Sequence, residues 1–431
     1  MVRPLLIGGL LLLACGGSLA TPAAAPASDS ETNISAYLNV REFGARGDGR
    51  SSDTAAVQKA LDKCAAGGGG TVMVPRGNYL VGSLVLGSRT TLEFDQGANL
   101  TGSSETNDYP VTRIRWEGEF ALGHRALLSA RNADHVSIVG PGSIFGPPLS
   151  VSRLRDPRGP VLIELTDCTN VLLADFSSQY QQLWSIHPFG CSNFVARNLT
   201  IRSLNPNGDG IDVDSCQQVL IEHCSIDTGD DAISLKSGRG LEAVRLGRPT
   251  EDVVIRDCSL ISSLFAGLGI GSEMSGGIRN VRVQNCFISG GQNGIFIKSR
   301  DGRGGYIEDV SGEDLFIFNS PTFLAIDLIH KGIQATEPVS GDIAQWATVK
   351  RLTFKNIKVS HVDELVAGLR IPPERPLDGL SLAGITGVCG KGLALANMNN
   401  VKLSHIQVTG FEGPLLTTNH VRGEGLDKPE Q

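Results

Sequence analysis

The amino-acid sequence predicts an all-β protein whose short strands coil into a single-stranded parallel β-helix, preceded by a short capping helix. Two observations support this fold class. Glycine accounts for 53 of the 431 residues without a collagen-like period, which is typical of many tight turns between short strands. In addition, one short strand pattern recurs along most of the chain.

The recurring unit is a run of alternating apolar positions that follows a turn residue, as in VLIEHC (219–224) and VRVQNC (281–286). Eight copies end at positions 176, 199, 224, 258, 286, 315, 357 and 406. The period of two predicts half-buried strands. The shortest intervals, from 176 to 199 and from 199 to 224, match one coil of a β-helix, and the longer ones indicate inserted loops. A β-propeller blade of roughly 40–45 residues fits these intervals poorly.

A helix is predicted in front of the repeats. Ser52, Asp53 and Thr54 precede the amphipathic run AAVQKALDKCAA, and a glycine run from 67 to 70 follows it. This is the pattern of a capped helix with a glycine stop. We expect the helix to cover the open N-terminal end of the coil, because an uncovered strand edge invites association.

The first 20 residues have the pattern of an export signal, with Arg3 before a short apolar run. Two interpretations of its cleavage stay open. The small residues Ser18 to Ala20 suit ordinary removal, whereas LLAC ending at Cys15 resembles a lipoprotein box that would make Cys15 a lipid anchor. Residues 21–36 are rich in Ala, Pro and Ser and predict a flexible linker, which leaves 37–425 as the coil domain. We expect an exported monomer whose only membrane contact would be that anchor.

Composition narrows the range of partners. A net charge of −7 and a pI near 5.7 argue against nucleic-acid binding, which needs a surplus of Lys and Arg.

Eight cysteines follow Cys15 without a C-x-x-C pair, which argues against metal sites. Cys224, Cys258 and Cys286 close three successive repeats, so we expect a column of small buried residues. A disulfide between neighbouring coils stays open, although parallel Cβ vectors do not favour it.

Acidic residues concentrate between Asn205 and Gly238. Asp209 and Asp230 are separated by close to one coil of sequence, so stacking should place them on the same side. Asp231 follows directly, and a turn or bulge at Gly229 would let both neighbours emerge from one face. The alternative is a surface turn with solvated aspartates, because Asp-Gly pairs are common in turns.

Three crowded carboxylates suit the hydrolysis of a glycosidic bond. Mutual repulsion raises the pKa of at least one of them, which provides an acid for the leaving oxygen, while another carboxylate activates water. We interpret Asp212 and Asp214 as structural, and Lys236 as a solvated strand end. Asn207 is expected to position Asp209 through its amide and to contact substrate.

Several motifs, in the right order from Tyr37 to about Gly425, resemble glycoside hydrolase family 28, the polygalacturonase and rhamnogalacturonan-hydrolase family. The motifs are FGARGDGRSSDTAAVQKAL, NGDGIDV, TGDDAISLKSG, IGSEMSGGIRNV and GIFIKSRDGRGGYIEDV. The resemblance implies a right-handed, pectin-lyase-like parallel β-helix and inverting hydrolysis without metal or cofactor. It further implies Asp230 as general acid, with Asp209 and Asp231 orienting the attacking water.

Two positions depart from the family pattern. Leu268 stands in GLG where the family carries a histidine, and Phe296 replaces the arginine of an Arg-Ile-Lys motif, which leaves Lys298. A lone lysine grips a sugar carboxylate less directionally than an arginine fork with a lysine. Arg300 and Arg303 are candidates to compensate. Phe296 could instead offer an apolar face to a deoxy sugar, or be a core aromatic.

The function that follows is cleavage of α-linked galacturonic acid in an acidic plant cell-wall polysaccharide. The alternatives are rhamnogalacturonan hydrolysis or α-rhamnosidase activity, and a non-catalytic cell-surface β-helix that binds glycan. A calcium-dependent pectate lyase would share the architecture and cleave by elimination. We interpret Glu273, in the IGSE motif, as structural.

Overall fold

Successive coils of the chain stack in parallel, so that each strand pairs with the strand one coil later. The computed structural model describes residues 36–179, 183–331 and 344–430, and these form the right-handed parallel β-helix that the sequence predicts. The export signal, Cys15 and nearly all of the linker lie outside the described residues. No helix within the described ranges has the length and apolar character needed to cross a membrane.

Each regular coil contributes one strand to each of three stacks, which we number in chain order. The first stack contains Ala36–Asn39, Gly70–Val74, Thr90–Phe94, Asp134–Val139, Thr169–Ala174, Ser192–Arg197, Gln217–Glu222, Thr250–Arg256 and Ile278–Gln284. The second contains Asp48–Ser52, Gly77–Val81, Ala98–Gly102, Ser143–Phe145, Ser177–Gln179, Thr200–Ser203, Ser225–Thr228, Ser259–Ser262 and Phe287–Gly290. The third contains Leu84–Val85, Leu128–Arg131, Ile163–Thr166, Ile186–Phe189, Ile211–Asp214, Ile233–Lys236, Ala266–Ile270 and Asn293–Lys298.

The last coils run as long strands that bend from one stack into the next, namely Tyr306–Asp327, Thr348–Arg370, Leu377–Thr409 and Leu416–Glu424. Several short elements lie outside the three stacks. They are an antiparallel hairpin of Val111–Trp116 and Glu119–His124, the helices Thr54–Ala66, Leu149–Ser152 and Gly240–Leu246, and the 3-10 turns Val40–Phe43 and Thr106–Asp108. The hairpin and helix Gly240–Leu246 matter for function because they cover the outer face of the third stack.

The sequence repeats correspond to the first stack. Val171, Phe194 and Val219 are in register on successive coils, and the register continues to Val253 and Val281. The interval between the repeats that end at 357 and 406 spans two coils, because Leu380–Ile385 forms a copy that the sequence pattern did not identify. The interval between the repeats that end at 224 and 258 contains the inserted helix Gly240–Leu246.

Apolar side chains fill the inside of the coil in vertical columns. One column runs through Ile186, Ile211, Ile233, Leu268 and Ile295, all fully buried. Each coil buries its apolar face only against its neighbours, so stability comes from stacking.

Two turns per coil adopt the left-handed backbone region, and asparagine or aspartate commonly occupies them. Asn193 has a φ of 54°, and its amide donates to the Asn170 side chain one coil below at 2.6 Å. At the other turn, Asn198 donates to Asp175 at 2.9 Å. Asn and Asp tolerate positive φ, and these side-chain ladders tie successive turns together.

Helix Thr54–Ala66 confirms the sequence prediction of a helix at the N-terminal end. It buries Val57, Ala60, Leu61 and Cys64 against the first coils. Asp53 does not cap the helix with its side chain. Its carboxylate instead accepts from the backbone N–H groups of Arg46 at 2.6 Å and Gly47 at 3.1 Å.

The eight cysteines of the described residues are buried and unbridged. Cys224, Cys258 and Cys286 stack on successive coils, with the Cys224 backbone N–H 3.4 Å from the Cys258 sulfur. A second column holds Cys168, Cys191 and Cys216. The structure therefore places small buried residues where the sequence left a disulfide open.

Replacing Asn193 tests the ladder. We expect Asn193→Ala to lower the free energy of unfolding by about 1–2 kcal/mol, because alanine disfavours positive φ and cannot bond Asn170. Asn193→Gly is the matched control, since glycine accepts this φ and loses only the side-chain bond. Urea unfolding followed by circular dichroism measures both. Equal stability of the alanine variant and the wild type would contradict this account.

Candidate active site

The structure brings the three aspartates of the acidic stretch together on the third stack. Asp209 precedes strand Ile211–Asp214, while Asp230 and Asp231 precede strand Ile233–Lys236. One carboxylate oxygen of each lies within 4.8 Å of one from the other two. Ile211 pairs with Ile233, and this register puts Asp209 level with Asp231 rather than with Asp230.

A tight turn presents Asp230 and Asp231 on the same side. The Gly229 backbone N–H donates to Ser203 O at 2.7 Å, and a Cβ on Gly229 would lie 2.3 Å from Asn205 O, so the turn has no room for a side chain. Asp230 then folds back to accept from the Asp231 backbone N–H at 2.9 Å. This places the two neighbouring carboxylates together, where a regular strand would separate them.

Asp230 is the most accessible of the three. Its second oxygen accepts from the Asn207 backbone N–H at 3.2 Å. Burial, and after it the Asp231 carboxylate, raise the pKa of Asp230. Asn207 therefore acts through its main chain on Asp230, which corrects our expectation that its side chain positions Asp209; it also lines the cavity.

Asp231 is held by two donors. Lys298 Nζ lies 2.9 Å from Oδ2, and the Ala266 backbone N–H lies 3.1 Å from Oδ1. Gly269 on the next coil leaves space for this carboxylate, since a Cβ there would lie 2.3 Å from Oδ2. The Lys298 ammonium and the Asp231 carboxylate thus form a close ion pair.

Asp209 is buried, with 4% of its surface exposed, and lies 3.8 Å from Lys236 Nζ. Burial, followed by the charges of Asp212 and Asp230, raises the pKa of Asp209 well above its ordinary range. Because the carboxylates interact, their protons belong to the cluster rather than to one residue. The cluster therefore binds a proton more tightly than an isolated aspartate does.

Lys236 corrects our interpretation of a solvated strand end. Its side chain is buried, with Nζ 2.5 Å from Asp212 and 3.7 Å from the centre of the Trp184 ring. Burial opposes its charge, but Asp212 and Asp209 raise the pKa of Lys236 above its ordinary value. The lysine is thus a fixed cation beneath the carboxylate cluster.

A metal ion would find three carboxylate oxygens at this position, which is a plausible donor set for a hard cation. The same oxygens already face two ammonium groups, at 2.9 Å from Lys298 and 3.8 Å from Lys236. Lysine side chains that neutralise the cluster reduce its attraction for a divalent cation.

The cluster opens into a cavity of about 410 Å³. The other predicted binding residues Lys298, Phe296 and Arg300 line it. Arg303 does not, because its side chain is fully buried. The cavity also contains residues that the sequence interpretation did not assign to the site: Glu117, Trp184, Ser234, Lys236, Phe265, Gly271, Ser272, Glu273, Gln292, His330 and Lys331.

Leu268 is a core residue, which corrects its comparison with the family histidine. Strand Ala266–Ile270 points Leu268 into the coil, in register with Ile233 and Ile295. A side chain at this position does not reach the cavity. Phe265, just before the strand, is the bulky cavity residue of this segment.

The hairpin and the inserted helix build one side of the site. Arg115 of the hairpin is buried and donates to Asp214 at 3.1 Å and to Glu242 of the helix. The ring of Trp116 stacks on Trp184 with centroids 4.2 Å apart. These contacts bring Glu117, at the tip of the hairpin, to the cavity.

A row of buried polar side chains runs along the third stack and reaches the cavity at Ser234. Glu164 and His187 are in register, and Asp212 pairs with Ser234 further along. Burial, and after it the cations Lys236 and Arg115, lower the pKa of His187 to about 3. Burial also raises the pKa of Glu164 to about 7. Both groups are therefore kept uncharged by their surroundings at mildly acidic pH.

The described residues thus form a parallel β-helix whose carboxylate cluster faces an open cavity. The chain belongs to glycosyl hydrolases family 28, whose family model matches residues 64–405. This membership agrees with the resemblance in the sequence motifs.

Individual relatives support the family and the fold. A probable polygalacturonase of Vitis vinifera is 34% identical over 286 residues, which cover 62% of this chain and 58% of that protein. This chain thus spans less than two thirds of that relative's length. The hyperthermoactive exopolygalacturonase of Thermotoga maritima has 26% identity and a TM-score of 0.72, with 89% of this chain and 92% of that chain covered. A family 28 exopolygalacturonase of Yersinia enterocolitica has a TM-score of 0.80 at 21% identity, covering 90% and 78%, and shares the fold.

Glu164 predicts a pH dependence of stability. In the folded protein the pKa of Glu164 is raised from 4.5 to about 7. The stabilisation that this group gives the folded state is therefore complete below pH 4.5 and is lost as the pH rises through 7. Between pH 5 and pH 8 we expect this one group to reduce the free energy of unfolding by about 2–3 kcal/mol. Glu164→Gln removes that loss, so urea midpoints at the two pH values should differ less in the variant. An unchanged difference would refute the assignment.

Proposed function

We propose that this chain hydrolyses the α-linked galacturonic acid backbone of pectin by acid–base catalysis. The observation that supports this most strongly is the meeting of Asp209, Asp230 and Asp231 in one cavity of a family 28 chain. Polygalacturonases and exopolygalacturonases among its relatives support the same substrate.

Asp230 is the proposed general acid. Its raised pKa keeps a proton available for the glycosidic oxygen as the bond breaks. The Asn207 and Asp231 backbone N–H groups then stabilise the carboxylate that remains. The proton donor thus has one orienting contact from its own turn and one from Asn207, 23 residues earlier in the chain.

Asp231, assisted by Asp209, is the proposed base for the attacking water. Asp231 forms an ion pair with Lys298, and its carboxylate is the proposed proton acceptor. Asp209 adds a second acceptor on the adjacent coil. The two carboxylates can therefore hold one water between them while Asp230 serves the leaving group.

Inversion at the anomeric carbon is part of the proposal. The oxygen spacing of 4.8 Å or less is shorter than the roughly 6.5–9.5 Å typical of inverting enzymes with two carboxylates. Spacing alone would therefore favour a covalent intermediate. The family resemblance in the sequence motifs implies inversion, and the proposal follows that resemblance.

Arg300 is the proposed grip for an ionised sugar carboxylate. Its side chain lines the cavity, and a guanidinium binds a carboxylate through two parallel hydrogen bonds. Trp184 is buried between Lys236 and Trp116, so it supports this wall of the cavity from behind.

The proposed setting is outside the cytoplasm. The signal-like first 20 residues and the linker to residue 36 support export, which would bring the enzyme to its cell-wall substrate. Anchoring through a lipid on Cys15 is the second form of this proposal, and a monomer is the proposed state.

Asp230→Asn tests the catalytic assignment. We expect kcat on polygalacturonate to fall about 10²–10⁴-fold, because the amide cannot donate the proton of the acid. Release of reducing sugar measures the rate. Asp227→Asn is the matched control, since Asp227 lies on the preceding strand with its side chain 41% exposed and pairs with Arg202. Equal, negligible rates in wild type and Asp230→Asn would instead support a non-catalytic glycan-binding protein.

The first product tests the stereochemistry. We expect the β anomer from an α-linked substrate, observed by proton NMR before mutarotation, whereas the α anomer would establish retention.

An excess of chelator should leave the rate unchanged, because the two lysines rather than a metal balance the carboxylates. Loss of activity with chelator, or an unsaturated product that absorbs in the ultraviolet, would contradict metal-free hydrolysis.

A further inference from the structure

One wall of the cavity, directly beside the carboxylates, is apolar. Phe296 lies on the outer face of strand Asn293–Lys298 and packs with Ala266 and Ala325 in a cluster separate from the coil interior. Gly269, Phe296 and Ala325 occupy successive coils, and Ala367 continues the row. We call the part of the cavity that faces this row the Phe296 subsite.

The polar groups nearest Phe296 are already engaged. Lys298 Nζ lies 5.2 Å from the centre of the Phe296 ring but is bound to Asp231 at 2.9 Å. The His330 ring meets Phe296 edge-on at 5.4 Å, and its Nδ1 lies 3.3 Å from Asp327. Neither group is directed at a sugar that lies against the phenyl face.

An ionised sugar carboxylate would be poorly placed at this wall. It would lose hydration against a phenyl ring, and the Lys298 ammonium beside that ring is already paired with Asp231. A buried charge without a partner is costly. It would also add negative charge beside Asp230 and Asp231. A methyl ester removes the charge, and its methyl group can pack on the ring.

We propose that the Phe296 subsite takes a galacturonate unit whose carboxyl group is methyl-esterified, so that the preferred substrate is partly esterified galacturonan. This inference rests on the proposed hydrolysis of galacturonan and specifies its substrate. Arg300, elsewhere in the cavity, serves an ionised unit of the same chain. A partly esterified polymer provides an esterified unit for the Phe296 subsite and an ionised unit for Arg300.

The test compares one polymer in two forms. Polygalacturonate is methyl-esterified to about half of its carboxyl groups, and part of that preparation is saponified again with mild alkali, so that chain length and history match. We expect kcat/KM of the full-length wild-type enzyme to be about tenfold higher on the esterified form, in keeping with the cost of an unpaired charged group. Mass spectrometry should locate methyl esters on the unit at the newly formed chain ends.

Two substitutions at the wall sharpen the comparison. Phe296→Arg supplies a cation and should shift the preference about tenfold or more towards the saponified polymer. Phe296→Leu keeps the wall apolar and should retain the preference of the wild type. Thermal unfolding of both variants shows whether they remain folded, and the comparison on the wild type decides the question even if Phe296→Arg does not fold.

Each outcome has a distinct meaning. Faster cleavage of the saponified polymer by the wild type would overturn the inference while leaving the proposed hydrolysis intact. Cleavage of rhamnogalacturonan but of neither galacturonan form would overturn both, because the apolar wall would then serve a deoxy sugar. No release of reducing ends from any of these polymers would refute the proposed function itself.

Discussion

Backbone hydrogen bonds between successive coils fix the position of every side chain along the axis of the coil. The carboxylate cluster forms because of this register. Ile211 pairs with Ile233, so residues that precede these strands meet although a full coil of sequence separates them. A shift of one residue would turn the outward side chains into the coil. The apolar columns make such a shift costly, and the precision of the site is therefore a by-product of core packing.

Charge balance is the second condition for the site. Five carboxylates line the cavity, and they remain compatible with a folded protein because lysines lie among them: Glu117, Asp209, Asp230, Asp231 and Glu273. Lys236 is held beneath Trp184, and Lys298 is held by Asp231. Packing fixes these cations in advance, so they need not move when a bond breaks. This is the general advantage of a preorganised site. Because Lys298 is paired with Asp231, its ammonium group has little freedom to bind substrate.

The repeats and the acidic stretch sufficed to predict the coil, its cap and the aspartates that meet. They did not predict the burial of Lys236, because the repeats correspond to the first stack and carry no signal of the hairpin that covers the third stack, where Lys236 lies. Leu268 was misassigned for a related reason: motif similarity does not fix the direction of a side chain, whereas alternation along Ala266–Ile270 does. Trp184 and Glu117 lie in connecting segments whose positions depend on tertiary contacts.

The two columns of buried thiols bear on how such a chain reaches its folded state. Six cysteines stack as two sets of neighbours, and none of the six is bridged. A polypeptide that crosses a membrane unfolded would expose them to oxidants, and an early disulfide would lock residues that must end on separate coils. In the proposed exported form, coil formation would have to outpace thiol oxidation, because each thiol is protected only once stacking has buried it.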